Sequence, residues 1–180
     1  MADWEDALDE LVRLRGTALT RYAYLLCGDA AEAEDLVQDA LVKTFSRRRS
    51  LRDPRAIEGY VRQSVLTTYL DGFRRRRRWA AIRHLLAREE ARPGPERAAA
   101  QRIDVTAALG GLSPRERACV VLRFYEDLTV PEIARQLSLA PGSVKRYLSD
   151  AMRRLETHLG PLERADHDER AVLTLTSSTR

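Results

Sequence analysis

Apolar residues recur every three or four positions along most of the chain, without the alternation typical of strands. That spacing places apolar side chains on one face of an α-helix. The first such stretch runs from Trp4 to Leu26 and stops at Gly28. A second begins after Asp29, with Glu32 at the position that completes a capping box. The pattern therefore predicts an all-α protein that opens with two amphipathic helices.

A third helix is predicted to begin at Asp53 and Pro54, an N-cap followed by a first-turn proline. Its apolar positions continue to Phe73, and the arginine run Arg74–Arg78 follows. Adjacent like charges repel one another, so a partner that neutralises them explains the run better than a solvated cap. Arginines that bind phosphates beside aromatic rings that stack on bases suit single-stranded nucleic acid. Tyr69 and Phe73, however, fit a hydrophobic core better than they fit base stacking.

Helical periodicity fades between residues 83 and 102, where Pro93-Gly94-Pro95 interrupts any helix. We interpret 83–102 as a flexible linker between two small helical domains, at 4–82 and 103–159. Residues 160–180 carry too little apolar surface to fold alone, so we predict a disordered tail.

The stretch from Thr129 to Leu155 predicts two short helices joined by a tight turn. Thr129 and Glu132 form a capping box, and the turn at 138–140 precedes a helix that begins at Pro141. That second helix has one apolar face and one polar, basic face, which is typical of a DNA-reading helix-turn-helix. The polar face carries Ser143, Lys145, Arg146, Ser149 and Arg153. A helical hairpin with a merely solvated basic face is the alternative.

Charge changes this picture through its distribution, because 31 basic and 27 acidic side chains leave a formal net charge of only +4. Basic residues cluster at the arginine run and in the last helix, as expected for contacts with nucleic acid. Acidic and amide residues share the exposed side of the second helix. That side is either a solvated flank or a docking surface for a basic partner; it carries Glu34, Asp35, Gln38 and Asp39.

Other classes of protein are excluded by what the sequence lacks. No apolar run is long enough to span a bilayer, and the acidic N-terminus does not fit a secretory signal. Cys27 and Cys119 are far apart, which predicts reduced thiols in the cytoplasm. No histidine has metal-ligand spacing, and no catalytic or nucleotide-binding motif occurs. We expect no metal, cofactor, small-molecule substrate, membrane insertion or catalytic activity of its own.

Three segments follow one another around the Pro/Gly-rich break: AEAEDLVQDALVKTF, GYVRQSVLTTYLDGFRRRRR and LSPRERACVVLRFYEDLTVPEIARQLSLAPGSVKRYLSDAMRRL. In this order they resemble bacterial RNA polymerase sigma factors of the extracytoplasmic-function (ECF) group, up to about Leu159. The resemblance implies sigma region 2 at 4–82 and sigma region 4 at 103–159. It also implies core RNA polymerase and promoter DNA as partners, with an anti-sigma factor as a further candidate.

The resemblance assigns a role to each candidate surface. Residues of the second helix would dock on core polymerase: Asp35, Leu36, Gln38 and Asp39. Residues of the third helix would recognise and open the −10 element, where an unstacked base is captured: Arg62, Thr67, Thr68, Arg74, Arg75 and Arg76. The last helix would enter the −35 major groove, with Arg146 the best candidate for a guanine edge. Thr67 replaces an Asn common in relatives, and Asp150 replaces a frequent basic residue, so contacts there are expected to differ.

The leading hypothesis is therefore a sigma factor that directs core polymerase to promoters with −35 and −10 elements. One alternative is a stand-alone helix-turn-helix regulator that binds duplex DNA without polymerase. Another is an adaptor whose basic run binds RNA, and in that case residues 129–155 would be dispensable for binding.

Overall fold

The computed structural model describes residues 3–47, 54–86, 105–160, 162–167 and 170–175. Helices dominate these residues, which confirms the predicted all-α class. A π-helical turn, Val121–Tyr125, directly continues the fifth helix. The α-helices within the described ranges are α1 (Asp3–Cys27), α2 (Ala30–Arg47), α3 (Pro54–Leu86), α4 (Val105–Gly110), α5 (Pro114–Val120), α6 (Val130–Leu137) and α7 (Pro141–Leu159).

Helices α1, α2 and α3 form the first helical unit, and each packs against the other two. Gly28, at φ 79°, ends α1 in the left-handed region that favours glycine. Asp29 then caps α2, because its Oδ1 accepts a hydrogen bond from the Glu32 backbone N–H at 2.9 Å. Helix α3 runs unbroken through the arginines to Leu86, so the start of the predicted linker is helical. The remainder of 83–102 lies outside the described residues.

Helices α4 to α7 form the second helical unit, which contains the predicted helix-turn-helix. The Glu132 carboxylate accepts hydrogen bonds from the backbone N–H of Thr129 at 2.8 Å and from its hydroxyl at 2.6 Å. These bonds lower the pKa of Glu132. Helix α6 ends at Ser138, at φ 53°, and α7 begins at Pro141. The predicted capping, turn and second helix are thus confirmed.

Two short strands follow the helices, which corrects one prediction. Strands β1 (Leu162–His167) and β2 (Arg170–Leu175) pair antiparallel, with Leu162 opposite Leu175. The prediction of a disordered tail at 160–180 is therefore wrong for these residues. Val, Leu and Thr in β2 favour extended backbone, and ladder hydrogen bonds satisfy the backbone polar groups that face the paired strand. The tail beyond the strands lies outside the described residues.

The two helical units pack directly against each other, a contact that the sequence did not predict. One apolar core runs through both units and includes Tyr22 and Val65 of the first with Leu122 and Ile133 of the second. A smaller cluster lies mainly within the second unit, where α4 and α5 meet α7. The larger cluster therefore joins the two units.

Arg117 of α5 joins the units at the C-terminus of α1. It is buried, with 7% of its surface exposed, and its guanidinium donates to the Leu109 carbonyl at 2.8 Å and the Leu26 carbonyl at 2.9 Å. A cation at this end of a helix satisfies orphan carbonyls and complements the helix dipole. A Cβ at Gly28 would lie 3.3 Å from Arg117 Nη1, so a glycine here also permits the close approach.

Candidate nucleic-acid and protein interfaces

Helix α7 presents its polar face to solvent and its apolar face to the other helices. Val144, Ala151, Met152 and Leu155 are buried against the other helices. Four of the five candidate DNA contacts are exposed and Ser143 is partly exposed, so all of them share the outward side. The structure therefore brings together the −35 candidates predicted from the sequence: Ser143, Lys145, Arg146, Ser149 and Arg153.

Two of these arginines already have neighbours on α7. The guanidinium carbon of Arg146 lies 5.5 Å from the centre of the Tyr147 ring, within cation–π range. Arg153 forms an exposed ion pair with Asp150, one turn earlier. Asp150 is therefore the residue that sets where Arg153 points, and any phosphate that binds Arg153 competes with this carboxylate.

A groove of about 1020 Å³ lies between α2 and α3 in the first unit. Most of its wall is contributed by one face of α3, and its polar groups are hydroxyls, amides, three guanidinium groups, the Lys43 ammonium and the carboxylates of Asp39 and Asp71. Such a wall can bind phosphates through arginine and base edges through smaller polar groups. The groove is lined by Asp39, Lys43, Thr44, Tyr60, Gln63, Ser64, Thr67, Thr68, Asp71, Gly72, Arg74, Arg75 and Arg78.

The groove contains only part of the −10 set predicted from the sequence. Thr67, Thr68, Arg74 and Arg75 line it. Arg62 and Arg76 do not. Arg76 instead pairs with Glu32 of α2 at 3.1 Å, and Arg62 faces the second unit.

Sequence reasoning missed several wall residues, although a signal for them was present. Wall residues at three- or four-residue intervals form one stripe of a helix: Tyr60, Ser64, Thr67, Asp71, Arg74 and Arg78. Sorting the five arginines by that period would have placed Arg78 in the groove and left Arg76 and Arg77 outside it. Lys43 could not be found in this way, because it comes from α2.

The hydroxyls of the groove are held by local hydrogen bonds. Thr67 donates to the backbone carbonyls of Gln63 at 3.0 Å and Ser64 at 3.1 Å, so its hydroxyl presents lone pairs to the groove. Thr68 accepts a hydrogen bond from Lys43 Nζ at 2.9 Å, which ties the two walls together. Because the hydroxyl proton of Thr67 is already used in these bonds, the side chain can only accept a further hydrogen bond. A carboxamide at position 67 could both donate and accept.

The acidic face of α2 is exposed, but it does not contain all four docking candidates. Asp35, Gln38 and Asp39 are exposed, whereas Leu36 is buried at 7% exposure. Leu36 is a core residue on the opposite side of the helix, so Asp35, Gln38 and Asp39 are the docking candidates that lie on the surface. Asp39 also lines the groove, and it therefore lies between the two proposed surfaces.

Two further features are absent from the part of the chain that the structure describes, a metal-binding cluster and a membrane-spanning helix. These residues contain no group of three or more His, Cys, Asp or Glu side chains placed to hold a metal ion. None of the helices in the described ranges is long and apolar enough to cross a membrane.

The chain matches two family models, in the order found in the sequence. Residues 11–79 match sigma-70 region 2, and residues 102–155 match sigma-70 region 4. The RNA polymerase sigma-E factor of Streptomyces avermitilis is 34% identical over 164 residues, covering 91% of this chain and 89% of the relative. The ECF RNA polymerase sigma factor SigL of Mycobacterium tuberculosis is 31% identical over 152 residues, covering 80% and 84%.

Solved structures agree on the fold. The sigma factor RpoE from Bartonella quintana, solved with the anti-sigma factor NepR, superposes with a TM-score of 0.63 at 23% identity and covers 88% of this chain and 98% of its own. CnrH, solved with the cytosolic domain of CnrY, gives 0.54 at 23% identity, covering 85% and 87%. The chain belongs to the sigma-70 family of RNA polymerase sigma factors, in the ECF group.

Proposed function

We propose that this sigma factor binds core RNA polymerase through the exposed side of α2, engages the −10 element in the groove and engages the −35 element with α7. The observation that carries the proposal is the presence, in one chain of this family, of a basic groove and an outward-facing recognition helix. Each uses a different chemistry toward DNA. Together they distinguish a promoter-specificity subunit from a single-site DNA-binding protein.

The groove is suited to a single strand rather than a duplex. Arginines on one side bind backbone phosphates, and the Tyr60 ring, 38% exposed at the wall, provides a surface on which an unstacked base can lie. Hydrogen-bonding groups for the edge of such a base come from four residues of the groove: Thr67, Thr68, Gln63 and Lys43. A base in the groove must leave its stack, so binding here favours local opening of the duplex.

Helix α7 is suited to the duplex. Its exposed side chains include the long basic residues Lys145, Arg146 and Arg153, with the short hydroxyl side chain of Ser149 between them and that of Ser143, partly exposed, before them. That combination reads base edges in a major groove and holds the flanking phosphates. Arg146 is the candidate for a guanine, whose O6 and N7 accept two hydrogen bonds from one guanidinium.

Docking on polymerase requires a surface outside both DNA surfaces. Asp35 and Gln38 satisfy that condition because they are exposed on α2 and do not line the groove. An acidic patch here would attract a basic polymerase surface and orient the encounter. We propose that catalysis belongs to the polymerase, that this chain contributes no catalytic residue or cofactor, and that it works in the cytoplasm with its polymerase.

An anti-sigma factor is a further candidate partner, since the RpoE relative is named as a complex with one. The exposed apolar side chains Val12, Leu14 and Val42 offer surface for a protein partner on the first unit. They are scattered, however, so they do not select between polymerase and another protein.

Run-off transcription with purified core polymerase tests the proposal. We expect promoter-dependent transcripts from genomic templates with the native protein, and their start sites would give the −35 and −10 sequences. Asp35→Arg should abolish co-purification with core polymerase, while Glu10→Arg, an exposed acid on α1, serves as the matched control. Tight operator binding by the free protein without any polymerase-dependent transcript would instead establish the stand-alone regulator.

A further inference from the structure

We propose that Lys43 is an acylation site. An acyl phosphate binds in the groove between α2 and α3, transfers its acyl group to the Lys43 amine, and thereby weakens the binding of DNA in the groove. Only this effect on DNA rests on the proposed function; the modification site stands on the chemistry of the groove itself.

Side-chain amines are rare in this chain. Of its 31 lysine and arginine side chains, only Lys43 and Lys145 are lysines. A guanidinium stays protonated, whereas an ammonium can lose a proton and become a nucleophile. Acylating reagents therefore have two side-chain amines to attack, and both are exposed. Lys43 lies in the concave groove, and Lys145 lies on the outward side of α7.

The groove around Lys43 offers a site for a small phosphate. Three guanidinium groups line it together with the amine: Arg74, Arg75 and Arg78. Guanidinium groups bind phosphate oxygens through paired, charge-assisted hydrogen bonds. Arg75 lies seven residues after Thr68, roughly 10 Å along the helix axis. Side chains of a helix lean toward its N-terminus, which brings the Arg75 guanidinium back toward Thr68 and Lys43.

The Lys43 amine is held against the opposite wall of the groove. Its Nζ donates to Thr68 Oγ1 at 2.9 Å, so the side chain crosses from α2 to α3. One turn after Thr68, Gly72 lines the groove without a side chain. A Cβ built at Gly72 would meet Arg76 Nη1 at 3.7 Å. The wall beside the amine therefore leaves room for a small acyl group before the arginines begin.

The transfer needs no reactant other than the acyl phosphate. The Lys43 ammonium loses a proton to water, and its lone pair attacks the carbonyl carbon of the donor. A C–N bond forms while the C–O bond to phosphate breaks, and phosphate leaves with the electron pair and takes a second proton from the nitrogen. Arginines that hold the phosphate stabilise the charge on this leaving group. The products are a neutral amide at Lys43 and inorganic phosphate.

Acylation changes the groove in two ways. Four cationic side chains and the two carboxylates of Asp39 and Asp71 line it, so loss of the Lys43 charge halves its excess of positive charge. The acyl group also takes up space beside Thr68, in the part of the groove that we propose to contact a base. Both changes weaken the binding of a negatively charged strand.

Peptide mass spectrometry of the full-length protein, incubated with acetyl phosphate, tests the site. Lys43 should be acetylated about tenfold faster than Lys145, because a bound donor is held beside its nucleophile. The rate at Lys43 should saturate as acetyl phosphate increases, whereas the rate at Lys145 should rise in proportion. Inorganic phosphate should slow the reaction at Lys43 alone. Equal rates at the two lysines would overturn the proposal.

The role of the arginines is tested in the variant that replaces Arg74, Arg75 and Arg78 by Ala. Acetylation of Lys43 should slow to the rate of Lys145, and the rate at Lys145 should not change. Arg77→Ala removes an exposed charge outside the groove, so it should keep the native ratio of the two rates. Circular dichroism checks that helicity is retained. An unchanged Lys43 rate in the triple variant would show that the groove does not bind the donor, which would also overturn the proposal.

The effect on DNA is measured by fluorescence anisotropy with fluorescein-labelled single-stranded DNA of random sequence. Acetyl phosphate treatment should weaken binding by the native protein about fivefold. Lys43→Arg cannot be acylated at this position, so its affinity should be the same before and after treatment. Each protein is compared with its own untreated sample, which removes any effect of the substitution itself.

Two further outcomes separate the parts of the proposal. Unchanged DNA affinity of native protein that is fully acetylated at Lys43 would overturn the effect on DNA. Failure of the proposed function has a different signature, since run-off transcripts would be absent while Lys43 is still acetylated faster than Lys145.

Discussion

Helix α7 and the groove between α2 and α3 are both proposed to bind DNA, yet they are assembled in opposite ways. The proposed reading residues of α7 lie within Ser143–Arg153 on one convex face. The groove is concave, and its walls come from α2 and α3, with Lys43 bonded to Thr68 across it. One surface is therefore encoded by a single helix, and the other exists only after two helices have packed.

The same contrast extends to how charge is used. On α7, Arg153 is held by the neighbouring Asp150, and Arg146 lies over Tyr147. In the groove, three arginines line one wall together with hydroxyl and amide groups. We therefore expect the groove to give strong, salt-dependent binding to a strand, and α7 to give discrimination between base pairs.

The largest expected effect tests the groove. Replacing Arg74, Arg75 and Arg78 together by Ala should weaken binding to single-stranded DNA by about 4 kcal/mol at low salt, since each hydrogen bond to a charged group contributes roughly 1.5 kcal/mol. The negative slope of log affinity against log salt concentration should become less steep by about 2. Fluorescence anisotropy at several salt concentrations measures both quantities.

Arg77→Ala is the matched control for that triple variant, because Arg77 is exposed on the same helix but does not line the groove. An equal loss per arginine in the control would mean that the run acts as a diffuse charge. In that case the groove would not be a distinct site, and the contrast with α7 would disappear.

The next effect tests discrimination by α7. Arg146→Ala should cost about 2 kcal/mol on the preferred −35 duplex and relax the preference at one base pair. Binding of holoenzyme to duplexes with single base-pair changes measures this, with Arg135→Ala on the exposed side of α6 as the control. A uniform loss across all duplexes would show instead that Arg146 contacts a phosphate.

These two surfaces also differ in how far the sequence could predict them. The capping box at Thr129, the turn and the outward residues of α7 depend on neighbours within a few positions, and all were predicted. The arginine run was predicted to bind DNA, but Arg76 was included in the site and Arg78 was not, because which arginines line the groove depends on where α2 packs. Leu36 was assigned to docking although its helical position faces the core.

Contacts between the units were the least predictable feature. Arg62 and Glu126 are far apart in the sequence, and neither carries a local signal that the other is its partner. Arg117, taken alone, resembles any charged residue on a helix, and only the fold places it over the C-terminus of α1. The strand pair Leu162–His167 and Arg170–Leu175 escaped prediction because pairing between two strands is a contact that neither strand signals alone.

A smaller effect separates stacking from packing on α3. Tyr60→Ala should weaken binding to single-stranded DNA by about 1.5 kcal/mol, because a base that stacks on an aromatic ring gains energy of that order. Phe73→Ala is the control, since Phe73 is similarly exposed at 37% but does not line the groove. Both variants are measured by fluorescence anisotropy. Equal losses of affinity would mean that the aromatic rings stabilise the fold rather than stack on bases.

The smallest effect concerns the carboxylate on α7. Asp150→Ala removes a charge that repels phosphates and releases Arg153, so binding to duplex DNA should tighten by about 0.7 kcal/mol regardless of sequence. The gain is small because an exposed ion pair contributes less than about 1 kcal/mol to begin with. Asp9→Ala, which removes an exposed carboxylate on α1, is the control for the change in net charge. A gain confined to one −35 sequence would show that Asp150 contacts a base, which would make the acid on α7 part of its reading surface.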